Sequence, residues 1–345
     1  MKKILIICEA RPPQVNGVVT TFKNVEVELV KMGFTVDIIG PDNPTFKTIS
    51  LPFYKEIDIV VNPWKIKQFI NDDYDYIHIA TEGPLGLYAA RYCEKMKIKF
   101  TSSYHTKMPE YINAKFRFIP TSFVYRYMRS LHRKSSNVLV TSKSMRDELK
   151  QKKFNNYFTV WSRGVDATIF NSSEKKTLAK PYLLYVGRVS VEKNIEAFLT
   201  LDFPDHAKVV VGDGPDLQRL KRENYHREDI LFVGAQFGKE LASWYAGADC
   251  FVFPSKTDTY GIVMIESLCC GTPIAGYNVT GPIDIVDREI FGSTFECLQY
   301  AVEDVLNYQS SKYTASRDQR EKISQKEFTW KNCATIFANS LVPRS

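Results

Sequence analysis

The sequence predicts an α/β protein built from two doubly wound domains, each a parallel sheet flanked by helices. Three observations lead there. The chain has 345 residues, about twice a typical domain of roughly 100–200 residues. Short β-branched runs alternate with amphipathic segments along it, the pattern of parallel strands joined by crossover helices. That pattern lapses once, in the polar stretch DATIFNSSEKKTLAK at 166–180, and resumes after Pro181.

In the first half, strands are expected at 3–8, 35–40, 58–62, 76–81, 99–104, 137–141 and 157–161, with helices between them. The helix after the first strand places Val18, Phe22, Val25 and Leu29 on one face and stops before Gly33, a residue suited to the position just past a helix end. In the second half, strands are expected at 182–186, 208–211, 230–233, 250–254 and 273–277, with helices that include 239–246 and 262–270. The domains are drawn at 1–165 and 166–324, and a helix at 325–340 is expected to pack back on the first domain. The last five residues, LVPRS at 341–345, read as the remnant of an engineered protease site and are set outside the fold. Ligands of such sheets bind beyond the carboxyl ends of the strands, so the site is expected in an interdomain cleft.

Composition narrows the class. With 44% apolar and 25% charged residues the chain is an ordinary globular protein, neither disordered nor collagenous. Its longest uncharged stretch, 267–283, is broken by Gly271, Pro273, Asn278, Gly281 and Pro282, so no membrane span is expected. The apolar run in MKKILIICEA leads into Glu9 and Arg11 rather than a cleavage site, which makes it a first strand and not a signal peptide. Seven cysteines, an odd number without zinc-type spacing, predict a reducing, cytoplasmic setting. The net charge of +7 is uneven: residues 1–170 hold 26 basic and 16 acidic side chains (+10), residues 171–345 hold 20 and 23 (−3).

Several segments carry possible chemistry. TDTYGIVMIE, from Thr257 to Glu266, follows the apolar run CFVFPS and opens a helix. Gly261 allows close approach of a ligand, and the amides of Ile262 and Val263 are first-turn donors suited to an anion. Asp258 and Glu266 suit sugar hydroxyls, which carboxylates accept well; equally, Asp258 fits a turn or cap and Glu266 a solvated helix position. In GRVSVEKN, Arg188 and Lys193 can clamp a diphosphate by fork and point charge, or form surface ion pairs with Glu192 or Glu196. Gly212 and Gly214 of VGDGP make a tight turn, structural by default. PQVNGVVTT at 13–21 has one glycine where the dinucleotide fingerprint needs three, so an NAD enzyme is disfavoured, although Gly17 at a helix start still admits a phosphate. His105 ends the run KFTSSYH and is, by itself, as compatible with structure as with catalysis.

The Asp258-x7-Glu266 spacing, followed by SLCCGTP, resembles the E-x7-E segment of the retaining glycosyltransferases of family 4, with Asp in place of the first Glu. GRVSVEKN resembles that family's phosphate-binding Arg/Lys segment, and the likeness runs in family order from residue 1 to about 335, departing after Pro282, where the chain is shorter. The resemblance implies a GT-B fold of two Rossmann-like domains and transfer of a sugar from a nucleotide-diphosphate donor, a UDP- or GDP-sugar. It implies that Glu266 holds the donor ribose and Asp258 the transferred sugar. Arg188, Lys193 and the loop Tyr260, Gly261, Ile262 and Val263 would take the diphosphate, and Gly212 and Gly214 would wall the site. Gly234 and Ala235 would hold the base, Asn16 and Gly17 would cover the donor, and His105 would touch the sugar near the reacting carbon. WSRGVD at 161–166 is similar to the family's hinge. The family resemblance further implies a front-face retaining route, in which the leaving phosphate takes the acceptor proton.

No D-x-D pair or metal-type cluster lies near these segments, so neither metal nor other cofactor is expected. Between Lys107 and Lys134 there are seven basic residues and one acid, interleaved with aromatics. Lys115, Arg117, Arg126, Arg129 and Arg133 therefore predict a surface for an anionic membrane and a lipid or lipid-linked acceptor such as diacylglycerol, which would make the enzyme peripheral on the inner face of the membrane. Nucleic acid is disfavoured because no recognition module is present. The rival expectations are a nucleotide-sugar epimerase of the same fold and an inactive nucleotide-sugar-binding protein.

Overall fold

The computed structural model describes residues 2–12, 14, 16–51, 54–115 and 119–345; the side chains of residues 51, 54–57, 111, 114, 115 and 308–315 are outside the description. The chain divides into two units, Met1–Arg163 with Trp330–Ser345, and Gly164–Thr329.

The first unit holds a sheet of β1 (Lys3–Ile7), β2 (Thr35–Ile39), β5 (Tyr76–Ile79), β6 (Thr101–Tyr104), β7 (Asn137–Val140) and β8 (Phe158–Val160) in the order β2-β1-β5-β6-β7-β8. All five pairings are parallel. Ile4 to Ile7 are fully buried, as expected of a central strand covered on both faces. The remaining strands, β3 (Thr48–Leu51) and β4 (Tyr54–Val60), form a separate antiparallel ribbon. The strand expected at 58–62 belongs to that ribbon rather than to the main sheet. Its apolar-polar alternation, EIDIV, suits a ribbon with one dry face better than a strand buried on both.

Around the sheet lie α1 (Gly17–Lys31), α2 (Pro84–Met96), α3 (Met108–Lys115), α4 (Thr121–His132) and α5 (Lys143–Gln151). Phe22, Val25 and Leu29 form the buried stripe of α1, and Val18 packs beside them. In the second unit, β9 (Tyr182–Val186), β10 (Ala207–Val211), β11 (Ile230–Gly234), β12 (Cys250–Phe253), β13 (Ile274–Tyr277) and β14 (Gly292–Phe295) are all parallel, in the order β11-β10-β9-β12-β13-β14. The sequence reading misses β14 because GSTF lacks a β-branched run.

The second unit's helices are α6 (Ile195–Leu199), α7 (Leu217–Glu223), α8 (Gly238–Gly247), α9 (Ile262–Cys269), α10 (Pro282–Ile285) and α11 (Leu298–Glu327). The last helix, α12 (Trp330–Ser340), belongs to the first unit, where Cys333, Ala334 and Phe337 share a core with Phe22 and Trp161. The terminal residues set outside the fold by the sequence reading are bonded to it: Lys99 N–H donates to Arg344 O and Arg344 N–H to Asp75 O, both at 3.0 Å. Backbone pairing is indifferent to side-chain identity, so composition gave no sign of it. No helix among the described residues is long and apolar enough to cross a membrane.

Candidate active site

The strand order of the second unit reverses direction between β9 and β12, since the chain fills one side with β10 and β11 and the other with β13 and β14. A crevice opens at such a switch point, outside the carboxyl ends of the strands. Arg188 and Lys193 follow β9, and Asp258 follows β12. Lys193 Nζ donates to both carboxylate oxygens of Asp258, at 2.6 and 2.8 Å, with each side chain about one-fifth exposed. Asn194, with φ +55°, turns the chain after Lys193, and its amide donates to Pro254 O at 3.1 Å. The Thr257 hydroxyl also donates to Glu192 O at 3.4 Å, so the loops after β9 and β12 are tied together by an ion pair and two hydrogen bonds. Arg188 is half-buried, and its carbonyl accepts the Tyr185 hydroxyl at 2.8 Å.

The glycines of this edge serve close backbone approach. A Cβ on Gly212 would lie 1.9 Å from Gly187 O, so the loops after β9 and β10 touch only because Gly212 has none. Gly212 N–H donates to Gly234 O at 2.8 Å, which sets Gly214 in its loop beside Gly234, the last residue of β11, and the exposed Ala235 that follows it. Gly261, with φ +87°, sits immediately before α9 against Met264 and Phe253. Its left-handed turn lets the first-turn amides of Ile262 and Val263 open the helix while Tyr260 stays buried.

Glu266 lies on the second turn of α9 and is only partly accessible. Its Oε2 accepts the hydroxyl of the fully buried Tyr245, at 3.0 Å, from α8. Burial pushes the Glu266 carboxyl up to about 7, and the Tyr245 bond offsets part of that rise. Sequence reasoning does not find Tyr245, because a tyrosine amid LASWYAG reads as core.

In the first unit, His105 stands just past β6 and is 7% exposed. Arg163 Nη2 lies 2.7 Å from its Nδ1. A guanidinium only donates, so Nδ1 is the acceptor and the neutral ring carries its proton on Nε2. Burial first, and the Arg163 charge second, hold His105 well below the usual imidazole range. His105 is therefore held neutral, with its proton on Nε2. Arg163, expected only as part of a hinge, fixes the ring as well, and its guanidinium stacks on Trp161 at 4.6 Å. Asn16 caps α1, its Oδ1 accepting the Val18 and Val19 amides at 3.0 Å each, with Gly17 at the first helical position.

The basic segment is only partly a surface. Lys107 is buried and paired with Glu148 at 2.7 Å, and Tyr125 is core. Lys115's side chain and Arg117 lie outside the described residues. Arg126, Arg129 and Arg133 line a depression of about 600 Å³ with Arg91, Lys153 and Glu94, five cations against one carboxylate. Arg133 pairs with Glu94 at 2.5 Å, and Arg129 donates to Lys152 O at 3.0 Å. Because α4 ends just before β7 and α5 just before β8, Arg129, Arg133 and Lys153 sit at the amino edge of the sheet. His105 is at the carboxyl edge. The expected joint membrane and acceptor surface is thus separated from the histidine by the length of β6.

Residues 15–169 match the family model described as Glycosyltransferase Family 4, and residues 166–326 the model described as Glycosyl transferases group 1. The chain is 29% identical over 320 residues to the alpha-monoglucosyldiacylglycerol synthase of Streptococcus pneumoniae, covering 82% of this chain and 73% of that protein. It is 26% identical over 325 residues to the GDP-mannose-dependent alpha-mannosyltransferase of Corynebacterium glutamicum, covering 86% and 78%. Among solved structures, the sucrose-phosphate synthase of Thermosynechococcus elongatus superposes with a TM-score of 0.79 at 19% identity over 98% of each chain, a likeness of fold.

Proposed function

The chain belongs to the glycosyltransferases that join a Family 4 domain to a group 1 domain in the GT-B fold, and on that premise we propose that it is a retaining hexosyltransferase carrying a sugar from a UDP- or GDP-sugar to a hydroxyl of a membrane glycolipid precursor such as diacylglycerol. The observation that carries the reading is the Lys193–Asp258 ion pair at the β9/β12 switch point, in the two loops that also carry Arg188 and Gly261. In this reading the two cations and two first-turn amides take the diphosphate, and the two carboxylates take sugar hydroxyls. The names of the relatives support a nucleotide-sugar donor and a diacylglycerol-type acceptor.

In the proposed reaction the bond from the anomeric carbon to the diphosphate oxygen breaks while the acceptor oxygen bonds to the same face. The acceptor proton passes to the leaving phosphate. Arg188, Lys193 and the amides of Ile262 and Val263 stabilise the charge that develops, fixed in advance and without reorganisation. His105 donates its Nε2–H to a sugar hydroxyl. The two placed cations do the work a divalent ion does elsewhere, so the reaction is proposed to need no metal. The basic depression beside α4 holds the enzyme to anionic lipid on the inner face of the membrane, each cation contributing about 1 kcal/mol.

A thermal-shift screen of UDP- and GDP-sugars tests the donor: a ligand at 100 times its dissociation constant stabilises the fold by about 2.7 kcal/mol. A shift with one base and none with the other assigns the donor. No shift with any nucleotide sugar contradicts the reading.

A further inference from the structure

The first unit has its own switch point, between β1 and β5, and Glu82 lies in the loop just past β5. It is 5% exposed. Its carboxyl accepts the backbone N–H of His105, while its Oε1 lies 3.7 Å from Nε2 of the fully buried His132 on α4. Both of those facing atoms are buried without a hydrogen-bond partner.

The far side of His132 fixes where its proton is. Ser135 Oγ donates to Asn137 O at 2.8 Å. Ser102 Oγ in turn donates to Ser135 Oγ at 2.7 Å. The single hydroxyl proton of Ser102 is thus committed, and His132 Nδ1, 2.8 Å away, must be the donor to Ser102 Oγ. A neutral His132 then turns a bare Nε2 lone pair toward a carboxylate oxygen in a dry setting. Two acceptors facing each other there are costly, and one proton between them relieves it. Burial, which raises the Glu82 carboxyl, favours the same proton.

We propose that Glu82 and His132 share one proton and that Glu82, so held, is a positioning residue for His105. The ring of His105 is fixed by Arg163 and packs near Phe22 and Trp161, with ring centroids at 5.7 and 5.8 Å. Its backbone is fixed by Glu82. The shared proton keeps a bare carboxylate from standing behind the neutral imidazole, beside a second, partly buried acid, Glu9, past the neighbouring strand end. Tyr127 completes the anchorage, its hydroxyl donating to Glu82 O at 2.7 Å.

This inference rests on the proposed role of His105, and the test separates the two. Glu82→Gln reproduces the protonated carboxyl: its amide N–H can donate to His132 Nε2 while its oxygen accepts from His105. Sugar transfer by Glu82→Gln is expected within about threefold of wild type, and Glu82→Ala is expected to lose tenfold or more in kcat with the donor KM unchanged. In a His105→Ala background the Glu82→Ala loss should vanish, the coupling expected of a residue acting through another. Additive losses in that double variant, or a Glu82→Gln enzyme as impaired as Glu82→Ala, overturn the positioning role. A His105→Ala enzyme with full activity overturns the role of His105 and that of Glu82 with it. Ring ¹⁵N spectra test the proton itself and do not depend on activity. In wild type, His132 Nδ1 should be protonated and Nε2 should show partial protonation from the proton shared with Glu82; in Glu82→Gln, whose amide keeps its proton, Nε2 should be an acceptor only. A wild-type spectrum with Nε2 protonated and Nδ1 bare contradicts the sharing.

Discussion

The hydroxyl of Tyr245 donates to Oε2 of Glu266 across 3.0 Å, from one helix of the second unit to the next. That bond aims a partly buried carboxylate, so Tyr245→Phe should leave Glu266 in place but free to rotate. A hydrogen bond to a charged group is worth about 1.5–3 kcal/mol, so donor affinity should fall roughly 10-fold or more. Calorimetric titration with the assigned nucleotide sugar checks it, and an unchanged dissociation constant removes Tyr245 from the site.

Lys193 and Asp258 form a closed ion pair. A diphosphate bound as proposed would compete with Asp258 for the Lys193 ammonium. Lys193→Ala should therefore weaken donor binding by roughly 10- to 150-fold, the loss of one charged hydrogen bond. Asp258→Asn should spare the affinity for the free nucleoside diphosphate, and even raise it, while sharply lowering transfer, because only the sugar loses its partner. Binding of the diphosphate measured separately from turnover distinguishes these outcomes.

Two partly buried glutamates make stability depend on pH. Burial raises Glu266 and Glu9 to about 7 each, well above an ordinary glutamate. The folded protein holds these protons more tightly than the unfolded chain, so their contribution is complete below the unfolded value of about 4.3 and is lost as pH rises through 7. The melting temperature of the donor-free protein should fall between pH 5 and pH 8, and Glu266→Gln should flatten part of that slope. Donor affinity should move the other way, rising through the same window, because sugar hydroxyls donate best to the ionised carboxylate. A melting temperature that rises from pH 5 to pH 8 in a way Glu266→Gln removes would contradict the assignment.

The basic depression at the amino edge of the first sheet should hold the enzyme on anionic vesicles. Arg91→Gln with Arg126→Gln should weaken binding to phosphatidylglycerol vesicles, read by sedimentation, by about 30-fold, near 1 kcal/mol per cation. Binding to neutral vesicles should be weak throughout. Equal sedimentation with neutral and anionic vesicles would count against a membrane surface here.

Much of the second unit's site is legible in the sequence because its chemistry sits in contiguous segments at strand ends: GRVSVEKN, VGDGP and TDTYGIVMIE each carry their own turn and charge. What escapes is whatever depends on partners distant in the chain. Tyr245 is 21 residues from Glu266, Arg163 is 58 from His105, and neither has a local signature. Glu82 reads as a loop residue before a helix, and only the fold brings it beneath His105. The basic run between Lys107 and Lys134 misleads in the opposite sense, since charge in sequence says nothing of which cations are buried, and Lys107 is.

The central claim is retaining transfer of a sugar from a nucleotide donor, and the anomeric configuration of the product tests it most directly. Wild-type enzyme incubated with the α-linked donor selected by thermal shift and with diacylglycerol vesicles should give, by proton NMR of the isolated glycolipid, an α-linked product, and Glu266→Ala should give almost none. A β-linked product, or no transfer from any UDP- or GDP-sugar, would contradict the account.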